Sequence, residues 1–431
     1  MTKRMLLAVL LLIVFALPAG CQKQGGEPTQ PTAPAPTILP TPTPEPSPTP
    51  TPDPVGEALA GMTVEQKAAQ LLVAGIEGTE PGEDAVQAVQ GYQVGGVILF
   101  GRNVESAEQL AALTNGLREL NGDYTPLFLC VDQEGGRVDR MPPEASRTPS
   151  AWSVGQTLDT EGVGVSYGEL LAAECAAFGF NMDFAPSLDI WSNPDNTVIG
   201  DRAFGNDWEW TAFFGMSAVE GMEKQGTVIP VVKHFPGHGD TAVDSHTALP
   251  VVDKTLEDLW QSELVPFDMV LSGQFWGEPV MEPTPAVMVA HILLSQIDPD
   301  NPASLSPGVV TGLLREEMGY EGVVCTDDLT MGAISNTYGM GEAAVLAVEA
   351  GCDLLLVCHG ADNLAAAHAA LVEAVDSGRI PEERLDESVR RILALKGAYG
   401  LTNAPVEAPD IEALNDRIAA LERSIEADTS Q

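Results

Sequence analysis

Eight short apolar runs alternate with helical patterns along this chain, and the alternation restricts the folds that it can adopt. The runs span residues 71–76, 96–100, 127–132, 181–186, 229–235, 286–292, 322–327 and 352–358. Amphipathic stretches such as 106–120 and 162–178 lie between them. Continuous Val, Ile and Leu runs that alternate with helices are typical of parallel strands buried on both faces. We therefore expect an α/β fold, a (β/α)8 TIM barrel that forms a single catalytic domain.

A barrel also predicts where polar residues should gather, because active sites in this fold lie at the C-terminal ends of the strands. Asp132 ends the third run, Lys233 and His234 end the fifth, His291 ends the sixth and Asp327 ends the seventh. We expect these segments to converge on one mouth. A doubly wound open sheet is the alternative fold, although no Gly-rich dinucleotide fingerprint follows the first run.

Residues 233–246 hold three of the six histidines and two carboxylates in a stretch broken by Gly and Pro. Crowding of titratable groups in a loop is typical of a catalytic site. Within the stretch, Asp244 precedes His246 by two residues. A carboxylate at this spacing can orient the imidazole and raise its pKa, which would make His246 a general acid and then a general base. A histidine on an ordinary surface loop is the alternative.

The same stretch also allows a metal site, since imidazole and carboxylate groups are ordinary zinc ligands. The possible ligands are His234, His238, His246, Asp240 and Asp244. Their spacing fits no standard ligand pattern, so no metal ligand is assigned and no cofactor is expected. A metal-dependent hydrolase remains an alternative.

Two adjacent carboxylates, Asp327 and Asp328, follow the apolar residues 322–325. Two adjacent carboxylates repel each other, so each of them is expected to have a specific role. Asp328 is placed to cap the helix that follows, whereas Asp327 would face the barrel mouth. We interpret Asp327 as a carboxylate nucleophile that is ionised near neutral pH. An ion pair with a neighbouring Lys or Arg is the alternative role for Asp327.

The chain is strongly acidic, with 62 Asp and Glu against 21 Lys and Arg and a formal net charge of −41. A field of this sign repels phosphates, so the composition argues against binding nucleic acid or an anionic membrane surface. We expect a neutral or cationic ligand.

The N-terminus predicts export. Lys3 and Arg4 precede an apolar run over 5–19, and Gly20 and Cys21 follow it, in the order of a signal peptide. Residues 17–21 resemble a bacterial lipoprotein cleavage site. We therefore expect residues 1–21 to be removed up to Cys21, which would anchor the protein to the outer face of a membrane through a lipid. A membrane-spanning anchor is the alternative.

Residues 22–56 form a Pro- and Thr-rich linker, a composition that favours extended polyproline II over a packed core. The barrel is expected over 57–400 and a C-terminal helix and tail over 401–431. Along this helix the apolar residues are spaced three and four apart, at Ile411, Leu414, Ile418, Leu421 and Ile425. We expect the helix to pack on the barrel of a monomer, with dimerisation through it as the alternative.

Five motifs together resemble family 3 of the glycoside hydrolases, in its β-N-acetylglucosaminidase branch. They are VDQEGGR (131–137), DRAFG (201–205), KHFPGHGDTAVDSH (233–246), MVAHI (288–292) and TDDL (326–329). The long central motif is the most specific, and the resemblance extends over about residues 57–400. It implies removal of terminal β-linked GlcNAc from peptidoglycan fragments or related glycans.

The resemblance also implies a role for each site residue. Asp327 is the nucleophile, His246 the acid/base and Asp244 its partner. The residues that bind the sugar are Asp132, Arg202, Lys233 and His234. The mechanism implied is retaining hydrolysis through a covalent glycosyl-enzyme, with a His–Asp dyad in place of the second carboxylate.

Other activities remain open at this point. β-Glucosidases of the family take their acid/base from a second domain, and this sequence stops soon after residue 425, so we expect the barrel to supply its own. A β-glucosidase, a GlcNAc phosphorylase and a sugar-binding lipoprotein without turnover are the alternatives. The last of these needs neither Asp327 nor His246.

Overall fold

Eight parallel strands form a closed barrel in the structure, a computed structural model that describes residues 53–160, 162–241, 245 and 248–430. The strands, numbered along the chain, are β1 (Leu72–Gly75), β2 (Gly96–Ile98), β3 (Phe128–Val131), β4 (Met182–Asp183), β5 (Ile229–Phe235), β6 (Val251–Val252), β7 (Gln274–Phe275), β8 (Glu278–Pro279), β9 (Ala286–Val289), β10 (Leu293–Leu294), β11 (Val323–Asp328) and β12 (Leu354–Val357). The ring follows the order β1-β2-β3-β4-β5-β9-β11-β12.

The first and last strands of the ring close the barrel. Val73 of β1 lies opposite Gly96 of β2 on one side and opposite Leu356 of β12 on the other, and every pair in the ring is parallel. This closure confirms the (β/α)8 barrel and excludes the open sheet. Every residue of β3, β5, β9 and β12 is buried, which explains why these strands read as continuous apolar runs.

The fourth strand is shorter than its apolar run predicted. β4 covers only Met182–Asp183, whereas the run extends to Pro186. Proline has no N–H to donate to a sheet, so regular pairing cannot continue through it. Carbonyl groups still hold this segment to β5, because Val231 N donates to Ala185 O and Lys233 N donates to Pro186 O, both at 3.2 Å.

Helices surround the barrel. They are α1 (Pro54–Ala60), α2 (Val64–Gln70), α3 (Glu83–Val86), α4 (Ala107–Asn121), α5 (Ala151–Gly155), α6 (Val163–Ala177), α7 (Trp208–Gln225), α8 (Leu256–Leu259), α9 (Leu264–Ser272), α10 (Gly332–Ser335), α11 (Met340–Ala350), α12 (Ala361–Asp376), α13 (Glu382–Ala398) and α14 (Ile411–Thr429). Shorter 3₁₀ segments lie at Gly101–Asn103, Gly200–Arg202 and Ala303–Leu305, and π-helical segments at Gln87–Tyr92 and Gly308–Glu317.

The C-terminal helix α14 buries one face. Leu414, Ile418 and Leu421 are buried, and Ile418 and Leu421 belong to the same apolar cluster as Tyr167 and Leu170 of α6. Asp410 caps the helix by accepting the N–H of Ala413 at 3.0 Å. The apolar spacing at three and four residues thus corresponds to the face that α14 turns toward the barrel.

Two small sheets were not expected from the sequence. β6 pairs in parallel with β10 beside the barrel, and β7 and β8 form an antiparallel hairpin after α9. Each of these strands has only two residues, too short to show a periodic pattern.

The export signal, Cys21 and nearly all of the linker lie outside the described residues, so their assignments stay predictions. Among the helices that the structure describes, none is both long and apolar enough to span a bilayer.

Candidate active site

A cavity of about 350 Å³ opens at the C-terminal ends of the barrel strands. Five of the seven predicted site residues line it, namely Asp132, Arg202, Lys233, His234 and Asp327. The other two, Asp244 and His246, lie outside the described residues. Ser245, which stands between them in the sequence, is described and also lines the cavity.

Lys233 lies at the centre of the charged network in the cavity. Residue 233 belongs to β5, and its Nζ contacts Asp132 Oδ1 and Glu134 Oε1, each at 2.5 Å. Burial disfavours the charged ammonium, but the attraction of the two carboxylates outweighs it and raises the pKa of Lys233. Lys233 is therefore a permanent cation that fixes both carboxylates at the mouth.

Glu134 is a site residue that the sequence did not single out. Its two oxygens accept Nε and Nη2 of Arg202 at 2.7 Å in a bidentate pair, and Lys233 Nζ contacts the same Oε1 that accepts Nη2. Burial opposes ionisation, yet Arg202 and Lys233 hold the pKa of Glu134 far below its usual range. Glu134 lies two residues after Asp132 in the motif VDQEGGR, and this position is the sequence signal that points to it.

Asp189 orients His234. Its Oδ2 lies 2.6 Å from His234 Nδ1, and its Oδ1 accepts the backbone N–H of His238 at 2.6 Å. Asp189 is fully buried, which would raise its pKa, but attraction to His234 lowers the pKa of Asp189 to about 2. The imidazole is thus held with Nε2 toward Arg202 Nη2, 3.3 Å away. Asp189 lies in the loop after β4, and nothing in the local pattern marked it.

Asp327 emerges from the end of β11 into the cavity. Burial alone would raise its pKa, but the nearby His291, His234 and Lys233 attract the anion and the net effect lowers the pKa of Asp327. The only side-chain hydrogen bond described for it is Oδ1 accepting the N–H of Asp328 at 2.8 Å. The residues that the structure describes therefore leave its other oxygen available to a reactant, as expected of a carboxylate nucleophile.

Asp328 has a different role from the helix cap expected for it. Its Oδ1 accepts the backbone N–H of Thr330 at 2.9 Å and that of Cys358 at 3.1 Å. Helix α10 begins further on, after Met331, so these bonds bind the end of β11 to the end of β12. His291 supports the same corner, since its Nε2 lies 2.9 Å from the carbonyl of Asp328.

Three of the possible metal ligands are described, namely His234, His238 and Asp240, and each contacts a different protein side chain. His234 contacts Asp189, and Nδ1 of His238 lies 2.8 Å from the Thr241 hydroxyl. Asp240 forms an ion pair with Lys254 at 2.8 Å. Across the part of the chain that the structure describes, no group of three His, Cys, Asp or Glu side chains converges as metal ligands would.

Behind the cavity, Gln133 is held by two buried carboxyl groups. Its backbone N–H donates to Asp183 Oδ1 at 2.9 Å, and its Nε2 donates to Glu174 Oε2 at 3.0 Å. Gln133 Oε1 accepts the backbone N–H of Arg140 at 2.8 Å. Because Gln133 separates two carboxylates of the cavity in the sequence, these bonds fix the loop that presents both. Burial raises the pKa of Glu174 to about 8, although hydrogen bonds from Thr148 and Gln133 lower it.

We expect Glu174→Gln to keep activity and to stabilise the protein at neutral pH. Glutamine can donate to Thr148 and accept from Gln133, so both hydrogen bonds persist. The folded carboxyl keeps its proton to about pH 8, whereas the unfolded one loses it near 4.5, so wild-type stability falls as the pH rises between these values. The variant escapes this loss and should gain about 1–3 kcal/mol of unfolding free energy at pH 7. Urea unfolding of both proteins at pH 5 and pH 8 measures this difference in unfolding free energy.

Glu174→Leu is the matched control, because it keeps the volume but leaves Gln133 Nε2 without an acceptor. This variant also lacks the titrating carboxyl, but it should be less stable than Glu174→Gln at every pH and should lower kcat/KM by about tenfold or more. If wild type and Glu174→Gln showed the same dependence of stability on pH, Glu174 would be ionised in the folded protein and the assignment would be wrong.

Comparison with known proteins agrees with this geometry. The model of the family "Glycosyl hydrolase family 3 N terminal domain" matches residues 63–395. The protein named beta-hexosaminidase from Alkalilimnicola ehrlichii is 38% identical over 67% of this chain and 80% of its own length. Beta-hexosaminidase A of Pseudoalteromonas piscicida is 34% identical over 72% of this chain, which spans only 54% of that longer relative.

A solved structure gives the same result. A family 3 β-N-acetylglucosaminidase from Paenibacillus sp. str. FPU-7 superposes with a TM-score of 0.78 and 42% identity, covering 84% of this chain and 68% of its own. Both the family that the motifs predicted and the barrel are thereby confirmed. With its matched barrel and its carboxylates and cations gathered at one mouth, the chain belongs to glycoside hydrolase family 3.

Proposed function

We propose that this chain is a retaining exo-β-N-acetylhexosaminidase that releases terminal β-linked GlcNAc from peptidoglycan fragments or related glycans. The observation that carries the proposal is the ionised carboxylate of Asp327, which lines the same cavity as Asp132, Lys233 and Arg202 and has one oxygen that no described residue binds. Family membership and the names of the relatives support the sugar class.

In the first step Asp327 attacks the anomeric carbon and forms a glycosyl ester, while His246 donates its proton to the departing glycosidic oxygen. Asp244 orients His246 and stabilises its charged form. In the second step His246 removes a proton from water, which attacks the ester and releases the sugar with retained configuration. Ser245 supports this assignment, because the residue between the two members of the dyad lines the cavity.

The sugar would be held by groups that are fixed before it arrives. Asp132 is partly exposed and keeps acceptor sites for hydroxyl groups, although Lys233 binds its Oδ1. Arg202 and His234 are oriented by Glu134 and Asp189. Such preorganisation reduces the cost of ordering the site when the transition state forms.

The N-terminal sequence indicates where the enzyme acts. We infer that the protein is exported and held by a lipid on Cys21, with the Pro- and Thr-rich linker that precedes α1 as a stalk and membrane contact only through the lipid. A stalk of this composition extends by about 3 Å per residue and would let a monomeric barrel reach glycans some distance from the membrane.

Kinetics with chromogenic glycosides test the proposed function. We expect aryl β-GlcNAc to be hydrolysed at least about tenfold faster than the aryl β-glucoside, and proton NMR should show the β anomer of GlcNAc first. Chelator should not change the rate. Absence of turnover would contradict the enzyme assignment, and initial release of the α anomer would contradict retention.

Phosphate buffer separates hydrolysis from phosphorolysis. A histidine acid/base tolerates an anionic acceptor better than a carboxylate would, so phosphorolysis is the second candidate function. Formation of GlcNAc 1-phosphate as the main product would replace hydrolysis by phosphorolysis in the proposal, and free GlcNAc alone would exclude it.

A further inference from the structure

Four apolar side chains are exposed together on one flank of the barrel, which we call the aromatic surface. They are Trp276, Val280, Trp210 and Phe213, with 67%, 58%, 40% and 36% of their area exposed. Two belong to helix α7, and the other two to the β7–β8 hairpin and the residue after it. Large apolar groups rarely cluster at the surface of a soluble protein without a binding role.

The local structure holds these rings in place. Trp276 and Gly277 occupy the hairpin turn with φ of 53° and 81°, the left-handed pair of a tight turn, so the indole stands at the tip. Trp208 supports it edge-on, with ring centroids 5.6 Å apart. Behind the tip, Phe275 and Met281 line a cavity of about 220 Å³ together with Phe213 of α7. The surface is therefore formed before any ligand binds.

Charge limits what can bind there. Residues 206–225 and 272–285, which carry the aromatic surface, include six Asp and Glu and one basic residue, Lys224, which forms an ion pair with Glu220 at 2.8 Å. The exposed carboxylates Glu209, Glu278 and Glu282 lie on the same segments as the apolar side chains. This arrangement repels anionic lipid, and it also repels a second copy of a chain with net charge −41. An uncharged ligand with apolar faces and hydroxyl groups fits both the rings and the carboxylate acceptors.

The aromatic surface is joined to the catalytic mouth. Trp210 Cβ lies against Gly205, whose carbonyl accepts the N–H of Trp191 at 3.0 Å. Trp191 donates its indole N–H to Asn196 O, and Asn196 Nδ2 donates to the carbonyl of His238, a residue of the cavity wall. The Trp210 end of the aromatic surface is therefore connected by direct contacts to the loops that line the cavity.

We infer that the aromatic surface is a second glycan-binding site, which holds an uncharged strand of β-linked N-acetylated amino sugars while the cavity hydrolyses chain ends. The inference rests on the proposed function for its sugar class. Indole and phenyl faces cover the C–H faces of pyranose rings and displace water from both. The nearby carboxylates accept hydrogen bonds from the hydroxyls. Two sites on one molecule raise the concentration of chain ends at the cavity.

Binding to insoluble chitin tests this with wild type, Trp276→Ala and Tyr124→Ala. Tyr124 is another exposed aromatic residue, 43% accessible, in the loop before β3 at the N-terminal end of the barrel strands. Trp276→Ala should bind about tenfold more weakly, and Tyr124→Ala should bind like wild type. Kinetics on aryl β-GlcNAc should be the same for all three, because Trp276 does not line the cavity. Val280→Ser gives an independent second variant, expected to weaken binding in the same direction.

Equal retention of all four proteins on chitin would overturn the inference. So would sedimentation with phosphatidylcholine vesicles, or self-association in ultracentrifugation, that depends on Trp276. Failure of the proposed function gives a different pattern, since aryl β-GlcNAc would then not be cleaved by any variant, whether or not Trp276 governs retention on chitin.

Discussion

Asp327→Asn should lower kcat/KM on aryl β-GlcNAc by about 10⁴-fold or more, the largest effect expected of any single change in this chain. Asparagine has the shape of aspartate but cannot form the glycosyl ester, so the first step loses its nucleophile. The lowered pKa of Asp327 means that wild type has this group ionised throughout the neutral range. Initial rates with the purified proteins measure the difference, and a cooperative melting transition verifies that the variant is folded.

The neighbouring carboxylate provides the control. Asp328 also lines the cavity, but both of its oxygens already accept hydrogen bonds from Thr330 or Cys358, so Asp328→Asn should lower kcat/KM by no more than about tenfold. A slow fluorinated substrate analogue should add its sugar mass to the peptide that contains Asp327. Label on another carboxylate, or similar rates for the two variants, would remove the nucleophile assignment.

Glu134→Ala should cause the largest loss of stability, about 3–5 kcal/mol, because it leaves two buried cations without their shared partner. Arg202 loses a bidentate pair, and Lys233 keeps only Asp132. The same change releases two sugar-binding groups from their positions, so we also expect kcat/KM to fall by about 10²-fold or more. Urea unfolding and initial rates give the two numbers.

The pH dependence of this loss has a definite sign. The pKa of Glu134 is lowered in the folded protein, so its stabilisation is present above the unfolded value of 4.5 and is lost as the pH falls toward the folded value. The gap between wild type and Glu134→Ala should be complete at pH 7 and shrink below pH 4.5.

A bidentate Arg–Glu pair on the surface serves as the control. Glu342 accepts two hydrogen bonds from Arg379 at 2.8 Å, but both side chains are exposed. Glu342→Ala should cost no more than about 1 kcal/mol. If Glu134→Ala cost as little, the buried network would not contribute to stability.

The strands were predictable because burial on both faces makes each one a continuous apolar run. Polar residues at the C-terminal ends of these runs could then be assigned to the active site, because active sites in this fold lie there. Asp132, Lys233 and Asp327 follow from that rule. Asp189 could not be found in this way, because its role is set by a contact with His234, 45 residues later. Glu174 is a similar case. It lies on helix α6 among apolar residues, and its role depends on a hydrogen bond from Gln133, which lies in the loop after β3.

For β4 the apolar run predicted a longer strand than the structure contains. Hydrophobicity extended the predicted strand to Pro186, but pairing depends on N–H groups that hydrophobicity does not report. The β7–β8 hairpin was missed because two-residue strands carry no period, and its turn places Trp276 at a left-handed φ that few side chains favour.

Closure of the barrel between β1 and β12 has a consequence for synthesis of the chain. Val73 of β1 pairs with Leu356 of β12, which is synthesised about 280 residues later. At typical rates of about 5–20 residues per second the ribosome needs roughly 15–60 s to make that stretch. Throughout this time one side of β1 is an unpaired strand edge that another nascent chain could join. Yield of soluble protein in the cell therefore depends on how this edge is shielded, a quantity that equilibrium unfolding of the finished barrel does not measure.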